Sequence, residues 1–225
     1  IIKLEKFLLK FGLQMKLFLS AITTYLLGVL LVGFLLFLPA GSLSYSGGWL
    51  LMGLLFGPML LAGLVMFIKS PAFLEKRLDA KEKQATQKGV LKFAALMFIG
   101  SFVVAGLDWR FGWSKVSLPV TGIASVLFLG AYGLYAEVMR ENAYLSRTIK
   151  VEEGQKVVDT GLYGIVRHPM YSATLLLFLA MPLVLGSWYA LIPMAFYPVI
   201  ITVRLLDEEK LLSKELDGYE AYTKK

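Results

Sequence analysis

The residues best suited to chemistry lie in the stretch 161–172, GLYGIVRHPMYS, at the start of an apolar segment. It contains Arg167, the single histidine His168, Pro169 and Tyr171. Proline is favoured where a helix begins, and helix N-termini attract carboxylates and phosphates. Any one of these residues alone is a common interfacial anchor in membrane proteins. Because polar groups at a membrane edge tend to be functional, the set together favours a binding site for an anionic ligand group.

A second polar cluster follows the last apolar segment, in the stretch 203–222, VRLLDEEKLLSKELDGYEAY. Arg204 and Glu208 are four residues apart, so they share one face of a helix. Asp207 and Glu209 add two carboxylates beside them. An exposed amphipathic helix would explain the more distal charges, but Arg204 and Glu208 emerge directly from an apolar run. We therefore expect Arg204 and Glu208 to belong to the same site as the first stretch.

The composition narrows the chemistry that these residues can perform. The chain has 225 residues, no cysteine and one histidine, and 57% of its residues are hydrophobic. Disulfides, thiolate nucleophiles and cysteine-based metal sites are therefore excluded, and a single histidine argues against a multi-histidine zinc or haem site. We expect no metal in the site. The net charge of +7 fits a basic face close to anionic lipid headgroups, and no feature points to nucleic acid.

Six apolar segments dominate the chain, whose mean hydropathy is +0.68. Such segments indicate membrane spans, and the absence of strand-type alternation indicates helices, which satisfy their own backbone groups in lipid. The predicted fold class is all-α: a polytopic helical membrane protein with about five to six spans, a C-terminal helical hairpin and a cytoplasmic tail helix. The segments lie at about 17–39, 48–68, 91–109, 118–138, 171–185 and 188–204.

The chain is predicted to be one integral membrane domain over residues 1–225. Within it, 1–138 would form a four-helix membrane scaffold, and 139–225 would carry the cofactor-binding and catalytic residues. The connection 69–90 mixes charges with a few apolar side chains. A solvated connector is the favoured interpretation of such a charge run, ahead of a short helix lying at the membrane interface.

The distribution of basic residues predicts the orientation in the membrane. Of the 23 lysines and arginines, 21 lie on one side of the six-span arrangement. The positive-inside rule makes that side cytoplasmic, together with both termini. We expect a multi-pass protein of the plasma (inner) membrane of a prokaryote, in contact with membrane lipids.

The two polar stretches also carry a resemblance. NAYLSRTIKVEEGQKVVDTGLYGIVRHPMYSA, residues 142–173, resembles the C-terminal signature of the isoprenylcysteine carboxyl methyltransferase and phospholipid methyltransferase superfamily. RLLDEEKLLSKELDGYEAY, residues 204–222, resembles the acidic helix that follows in that superfamily. The resemblance covers about the last 85 residues. It implies a membrane methyltransferase that uses S-adenosylmethionine on a lipophilic acceptor, such as a prenylcysteine-like carboxylate or a lipid.

The resemblance further implies roles for single residues. Arg204, Arg167 and His168 are the implied catalytic residues. Arg204 would orient an anionic acceptor through paired hydrogen bonds, and Arg167 or His168 would hold the carboxylate of the cofactor. An amine acceptor would need a base, for which His168 and Glu208 are candidates. The residues implied to bind S-adenosylmethionine are Gln155, Lys156, Val157, Val158, Tyr163, His168, Pro169, Met170, Tyr171 and Glu208.

Some positions depart from the superfamily pattern. Many members have histidine where this chain has Gln155 and glycine where it has Ala173, and the usual Phe-Gly of the tail is replaced at 216–218. A membrane reductase of the sterol or steroid reductase type, which uses NADPH, has a similar RHP-x-Y ending and is the alternative function. The residues after Tyr171 weigh against hydride transfer. A non-enzymatic membrane scaffold would leave the polar cluster unexplained and ranks last.

Overall fold

The structure is a computed structural model that describes residues 2–78, 85–145, 151 and 153–224, with the side chains of 2–10 and 85–88 outside the description. Within this part of the chain the regular elements are helices, so the predicted all-α class is confirmed. The helices are α1 Ile2–Ala40, α2 Ser46–Lys69, α3 Pro71–Leu78, α4 Ala85–Phe111, α5 Leu118–Glu141, α6 Pro169–Val184, α7 Leu191–Met194, α8 Tyr197–Glu215 and α9 Tyr219–Tyr222, with a short 3₁₀ helix at Gly161–Gly164.

Four of these helices are long and apolar enough to cross a membrane. These candidate spans lie within α1, α2, α4 and α5. The helix α6 is also apolar but shorter, with 16 residues. The first four predicted spans are therefore found as helices. Their outward faces carry exposed large apolar side chains such as Leu30 and Leu61, as expected of helices that meet lipid.

The sixth apolar segment is not one span. It divides into the short helix α7 and the first turns of α8, which restarts with Pro198 in its first turn, where the missing N–H of proline is tolerated. From there α8 runs without interruption to Glu215, so the end of the predicted hairpin and the predicted tail helix are one helix. The polar residues that follow the apolar run are therefore held rigidly by the membrane-embedded part.

The connection 69–90 contains the short helix α3, so the preferred interpretation as a solvated connector is wrong for residues 71–78. Leu74 on α3 is buried against the bundle. Arg77 hydrogen-bonds to the hydroxyl of Tyr135 on α5 and lies 5.6 Å from the centroid of its ring. The apolar residues among the charges thus dock the helix on the bundle, while residues 79–84 lie outside the described part.

Close contact between α1 and α4 depends on Gly106. A Cβ at this position would lie 2.6 Å from the carbonyl oxygen of Leu36 and 3.0 Å from the backbone nitrogen of Ala40. Small residues allow membrane helices to approach closely.

The antiparallel pair α5 and α6 forms the most extensive helix contact in the described part. This contact packs α6 against the other helices of the bundle.

Buried polar groups fix the turn between α6 and α7. The Asp108 carboxyl accepts hydrogen bonds from the backbone N–H of Ser114 (2.7 Å), from the Ser114 hydroxyl (2.5 Å) and from the Ser187 hydroxyl. The Tyr45 hydroxyl donates to the carbonyl oxygen of Leu185 at 2.7 Å. Polar groups away from water need such partners. We call this side of the bundle, where α4 ends and α5 begins, the hairpin end.

Candidate active site

The candidate site lies at the opposite end of the bundle, where α6 begins. His168 is the residue before the helix, and Pro169 is its first residue. The backbone N–H of Tyr171 donates to the carbonyl oxygen of His168 at 3.1 Å, and the two rings stack with centroids 5.7 Å apart. The proline start therefore fixes the directions of the histidine and the tyrosine relative to each other.

Tyr171 joins α6 to α8. Its side chain is buried, and its hydroxyl donates to Glu208 Oε2 at 2.6 Å. Arg204 also hydrogen-bonds the Tyr171 side chain. Arg204 and Glu208 are predicted from their spacing to share a helix face. As expected, the pair meets residues 167–171, which we call the RHP-x-Y element. The arrangement brings a cation and a carboxylate to one buried tyrosine side chain.

Glu209 organises the other side of the RHP-x-Y element. Its Oε1 lies 2.6 Å from His168 Nε2, and its Oε2 accepts a hydrogen bond from Arg167 at 3.3 Å. The Tyr219 hydroxyl donates to Glu209 Oε1 at 3.1 Å, and burial followed by the charge of Glu209 raises the pKa of Tyr219. One carboxylate thus draws together a basic side chain, the histidine and a tyrosine that stays protonated at neutral pH.

A third wall comes from the end of α5 and the 3₁₀ helix. Asn142 donates to the Tyr163 hydroxyl at 2.9 Å, and the Tyr222 hydroxyl donates to the Tyr163 carbonyl oxygen. Burial raises the pKa of Tyr163 to about 12, so its hydroxyl remains neutral. Glu141 accepts the N–H of Leu162 at 2.9 Å, which satisfies a backbone donor at the start of the 3₁₀ helix.

Gly161 is required where this wall turns. Its φ is +57°, a region that residues with a Cβ avoid. A Cβ here would also run into the carboxylate of Glu141. The glycine therefore lets the chain pass close to the end of α5, and the Glu141 carboxylate can reach the backbone beyond it.

Together these walls enclose a cleft with about 870 Å³ of space outside the protein atoms, part of which is open to solvent. The predicted site residues line it with one exception, Pro169, which is buried behind it in the first turn of α6. The predicted residues in the lining are Gln155, Lys156, Val157, Val158, Tyr163, Arg167, His168, Met170, Tyr171, Arg204 and Glu208.

The sequence gives no role to several residues in and beside the cleft. Glu209 stands among neighbouring acids without an expected partner, and Asn142 carries no expectation of its own. Adjacent helix residues point about 100° apart, so Glu209 faces His168 while Glu208 faces Tyr171. The sequence signal that could have found these contacts is the tyrosine pair of the tail, Tyr219 and Tyr222. The Tyr219 hydroxyl donates to Glu209, and the Tyr222 hydroxyl donates to the carbonyl oxygen of Tyr163. The other unpredicted lining residues are Tyr144, Leu145, Leu211, Leu212, Leu216, Tyr219 and Tyr222.

Comparison with known families supports the resemblance of the two polar stretches. A family model described as phospholipid methyltransferase matches residues 120–217. Searches of curated proteins and of solved structures gave no match. The matched region begins within α5 and ends just after α8, so it contains the RHP-x-Y element, Arg204, Glu208 and Glu209. The superfamily resemblance is confirmed: residues 120–217 of this chain are similar to the phospholipid methyltransferase family.

Proposed function

We propose that the chain transfers a methyl group from S-adenosylmethionine to a lipophilic acceptor that reaches the cleft from the bilayer. The observation that carries the proposal is the junction of Tyr171, Glu208 and Arg204 at the end of apolar helices. A water-soluble donor and a lipid-dissolved acceptor can meet only where a polar cleft borders the membrane. The family match supports methyl transfer over the NADPH reductase alternative.

The donor set of the cleft suits S-adenosylmethionine. Glu208 offers a carboxylate for the amino group of the cofactor, and the backbone of 155–158 offers amide and carbonyl groups for its polar edges. Tyr163, Tyr219 and Tyr222 supply aromatic surface for the adenine.

The role predicted for Arg167 and His168 is refined by Glu209. Both side chains already contact this carboxylate, so a cofactor carboxylate would share them with Glu209 or displace it. We therefore assign Glu209 as a positioning residue, which holds the histidine and the arginine against the cleft. His168 and Glu208 remain the candidate bases for an amine acceptor, and His168 Nδ1 lies 3.9 Å from Glu208 Oε2.

The chemistry that the cofactor supplies when bound is a methyl carbon on a positive sulfur: an acceptor lone pair forms the new bond as the carbon–sulfur electron pair returns to sulfur, leaving a neutral thioether. The protein need only align the two reactants, and alignment alone supplies about 7–11 kcal/mol in favourable cases. Arg204 orients an anionic acceptor. For an amine acceptor, the released proton passes to His168 or Glu208.

The orientation of the chain in the membrane follows from the same proposal. S-adenosylmethionine is a cytosolic metabolite, and most basic residues fall on the side of the cleft. We therefore assign the cleft and both termini to the cytoplasmic side of a prokaryotic plasma membrane. Residues 139–225 remain the proposed cofactor-binding part, with α5 now included through the family match.

A binding measurement tests the choice of cofactor. The purified protein in detergent is titrated with S-adenosylhomocysteine and, separately, with NADPH. We expect saturable binding of S-adenosylhomocysteine and none of NADPH. Preferential binding of NADPH would overturn the methyltransferase proposal in favour of hydride transfer.

A further inference from the structure

A second cavity lies outside the polar cleft, on the lipid-facing side of α5 and α6. It is a groove with about 980 Å³ of space outside the protein atoms, open along its length. Its lining is apolar except for one serine at the end near the cleft. The lining residues are Val120, Ile123, Ala124, Leu127, Ser172, Leu175, Leu176, Leu179, Ala180 and Leu183.

The groove has a floor of small residues and walls of large ones. Ala124 and Ala180 are 2% and 4% exposed and form the floor, whereas Leu127 on the wall is 44% exposed. At the hairpin end, the Thr121 hydroxyl donates to the carbonyl oxygen of Leu183 at 3.3 Å, which fixes the antiparallel register of the two helices. The floor of the groove is therefore formed where the small residues of α5 and α6 meet.

The groove begins along α6 directly after the residues that line the candidate active site. Ser172, at its polar end, is the residue after Tyr171, whose hydroxyl contacts Glu208. Leu175 follows Tyr171 by four residues, so the two side chains lie on the same face one turn apart. Tyr171 lines the cleft and Leu175 lines the groove. One helix thus forms a wall of both cavities.

We propose that the groove holds a hydrocarbon chain of the lipid acceptor and thereby selects acceptors by chain length. The proposal rests on the methyl-transfer function proposed above. From Ser172 to Leu183 the helix rises about 16 Å, which is roughly half the thickness of the hydrocarbon core. A chain lying along this path would leave its headgroup at the level of Tyr171, beside the cleft.

The groove acts through position rather than through affinity. Lipid tails in the surrounding bilayer are as apolar as leucine, so transfer of a chain from bilayer to groove gains little from the hydrophobic effect. A chain that fits fixes where the headgroup rests, and small misplacements of a reacting group cost large factors in rate. The expected signature is a change in turnover with chain length, with cofactor affinity unchanged.

Two matched substitutions test the proposal. Leu127→Trp fills the groove with an indole, and Leu129→Trp is its control. Both leucines lie on α5 and both are 44% exposed, but only Leu127 lines the groove. Both substitutions exchange one exposed apolar side chain for another, and thermal unfolding in detergent establishes whether the two variants fold alike.

The first measurement is the initial rate of labelled-methyl transfer to dilauroyl and dioleoyl phosphatidylethanolamine in nanodiscs. We expect Leu127→Trp to change the ratio of the two rates by about fivefold or more, and Leu129→Trp to leave it at the wild-type value. Equal ratios in all three proteins would overturn the groove assignment. Absence of transfer in the wild type, with no binding of S-adenosylhomocysteine, would instead mean that the methyl-transfer function is wrong.

The second measurement does not depend on turnover. A phosphatidylethanolamine with a photoreactive diazirine in its acyl chain is cross-linked to the protein in nanodiscs, and the labelled peptides are identified. We expect labelling to concentrate on the groove residues of α6 and to fall in Leu127→Trp but not in Leu129→Trp. Even labelling of all lipid-facing residues would indicate bulk lipid, and protein–protein cross-links through the groove would indicate a second copy of the chain. Either result would overturn the proposal.

Discussion

Replacing Glu208 by glutamine removes one negative charge from the cleft while keeping its shape. The amide oxygen of glutamine can still accept the hydrogen bond that the Tyr171 hydroxyl donates at 2.6 Å. Arg204 keeps its contact with Tyr171. The substitution therefore isolates the attraction between the Glu208 carboxylate and a positive ligand group, which we assign to the amino group of the cofactor.

The expected loss of cofactor-binding free energy can be estimated from the environment of the Glu208 side chain. A hydrogen bond to a charged group contributes about 1.5–3 kcal/mol, compared with about 0.5–1.5 kcal/mol for a neutral pair. The Glu208 side chain is 27% exposed, so solvent weakens the difference only in part. We expect a loss of about 1–2 kcal/mol, which corresponds to a rise of roughly 5- to 30-fold in the Kd for S-adenosylhomocysteine.

The assay is calorimetric titration of the detergent-solubilised variants with S-adenosylhomocysteine, which carries the same amino-acid portion as the methyl donor. Glu215→Gln is the matched control, because Glu215 is an exposed carboxylate on the same helix and lies outside the cleft. The control should bind like the wild type. An unchanged Kd in a folded Glu208→Gln variant would refute the assignment of Glu208 to the cofactor.

Three further substitutions have distinct expected outcomes. Arg204→Ala should lower methyl-transfer turnover at least tenfold with little change in cofactor Kd; an equal loss of cofactor affinity would contradict its acceptor role. Gly161→Ala should lower the midpoint of thermal unfolding and weaken cofactor binding, since φ is +57° and the new Cβ meets Glu141; wild-type behaviour would show that this turn is not required. Asp108→Asn should destabilise the protein by about 1–3 kcal/mol in denaturant unfolding, because its carboxyl is 1% exposed and accepts from Ser114 and Ser187; unchanged stability would contradict its role in fixing the turn.

The positions of the membrane helices could be predicted from the sequence because lipid leaves the backbone few choices. A long apolar run must satisfy its own N–H and C=O groups, so it becomes a helix, and the first four runs do so. The sixth run could not be predicted in this way. Hydropathy averages over the run and does not register that Pro198 starts a new helix or that Asp108, distant in sequence, fixes Ser187 in the turn before it.

The candidate site was partly predictable for the same kind of reason. Helical spacing places Arg204 and Glu208 on one face without any knowledge of the fold, and both line the cleft. The contact between Glu209 and His168 spans 41 residues of sequence and depends on how α8 packs beside the start of α6. No local pattern specifies that packing. The same holds for Asn142, which reaches Tyr163 only after α5 ends.

The most direct test of the central claim is methyl transfer itself. The purified protein is incubated with S-adenosylmethionine labelled in its methyl group and a total lipid extract in nanodiscs, and the products are identified by mass. We predict a labelled lipid product that requires the protein, is blocked by S-adenosylhomocysteine and is reduced in Arg204→Ala. A protein that binds S-adenosylhomocysteine but labels only water-soluble acceptors would contradict a lipophilic acceptor, and a protein that labels nothing would contradict methyl transfer.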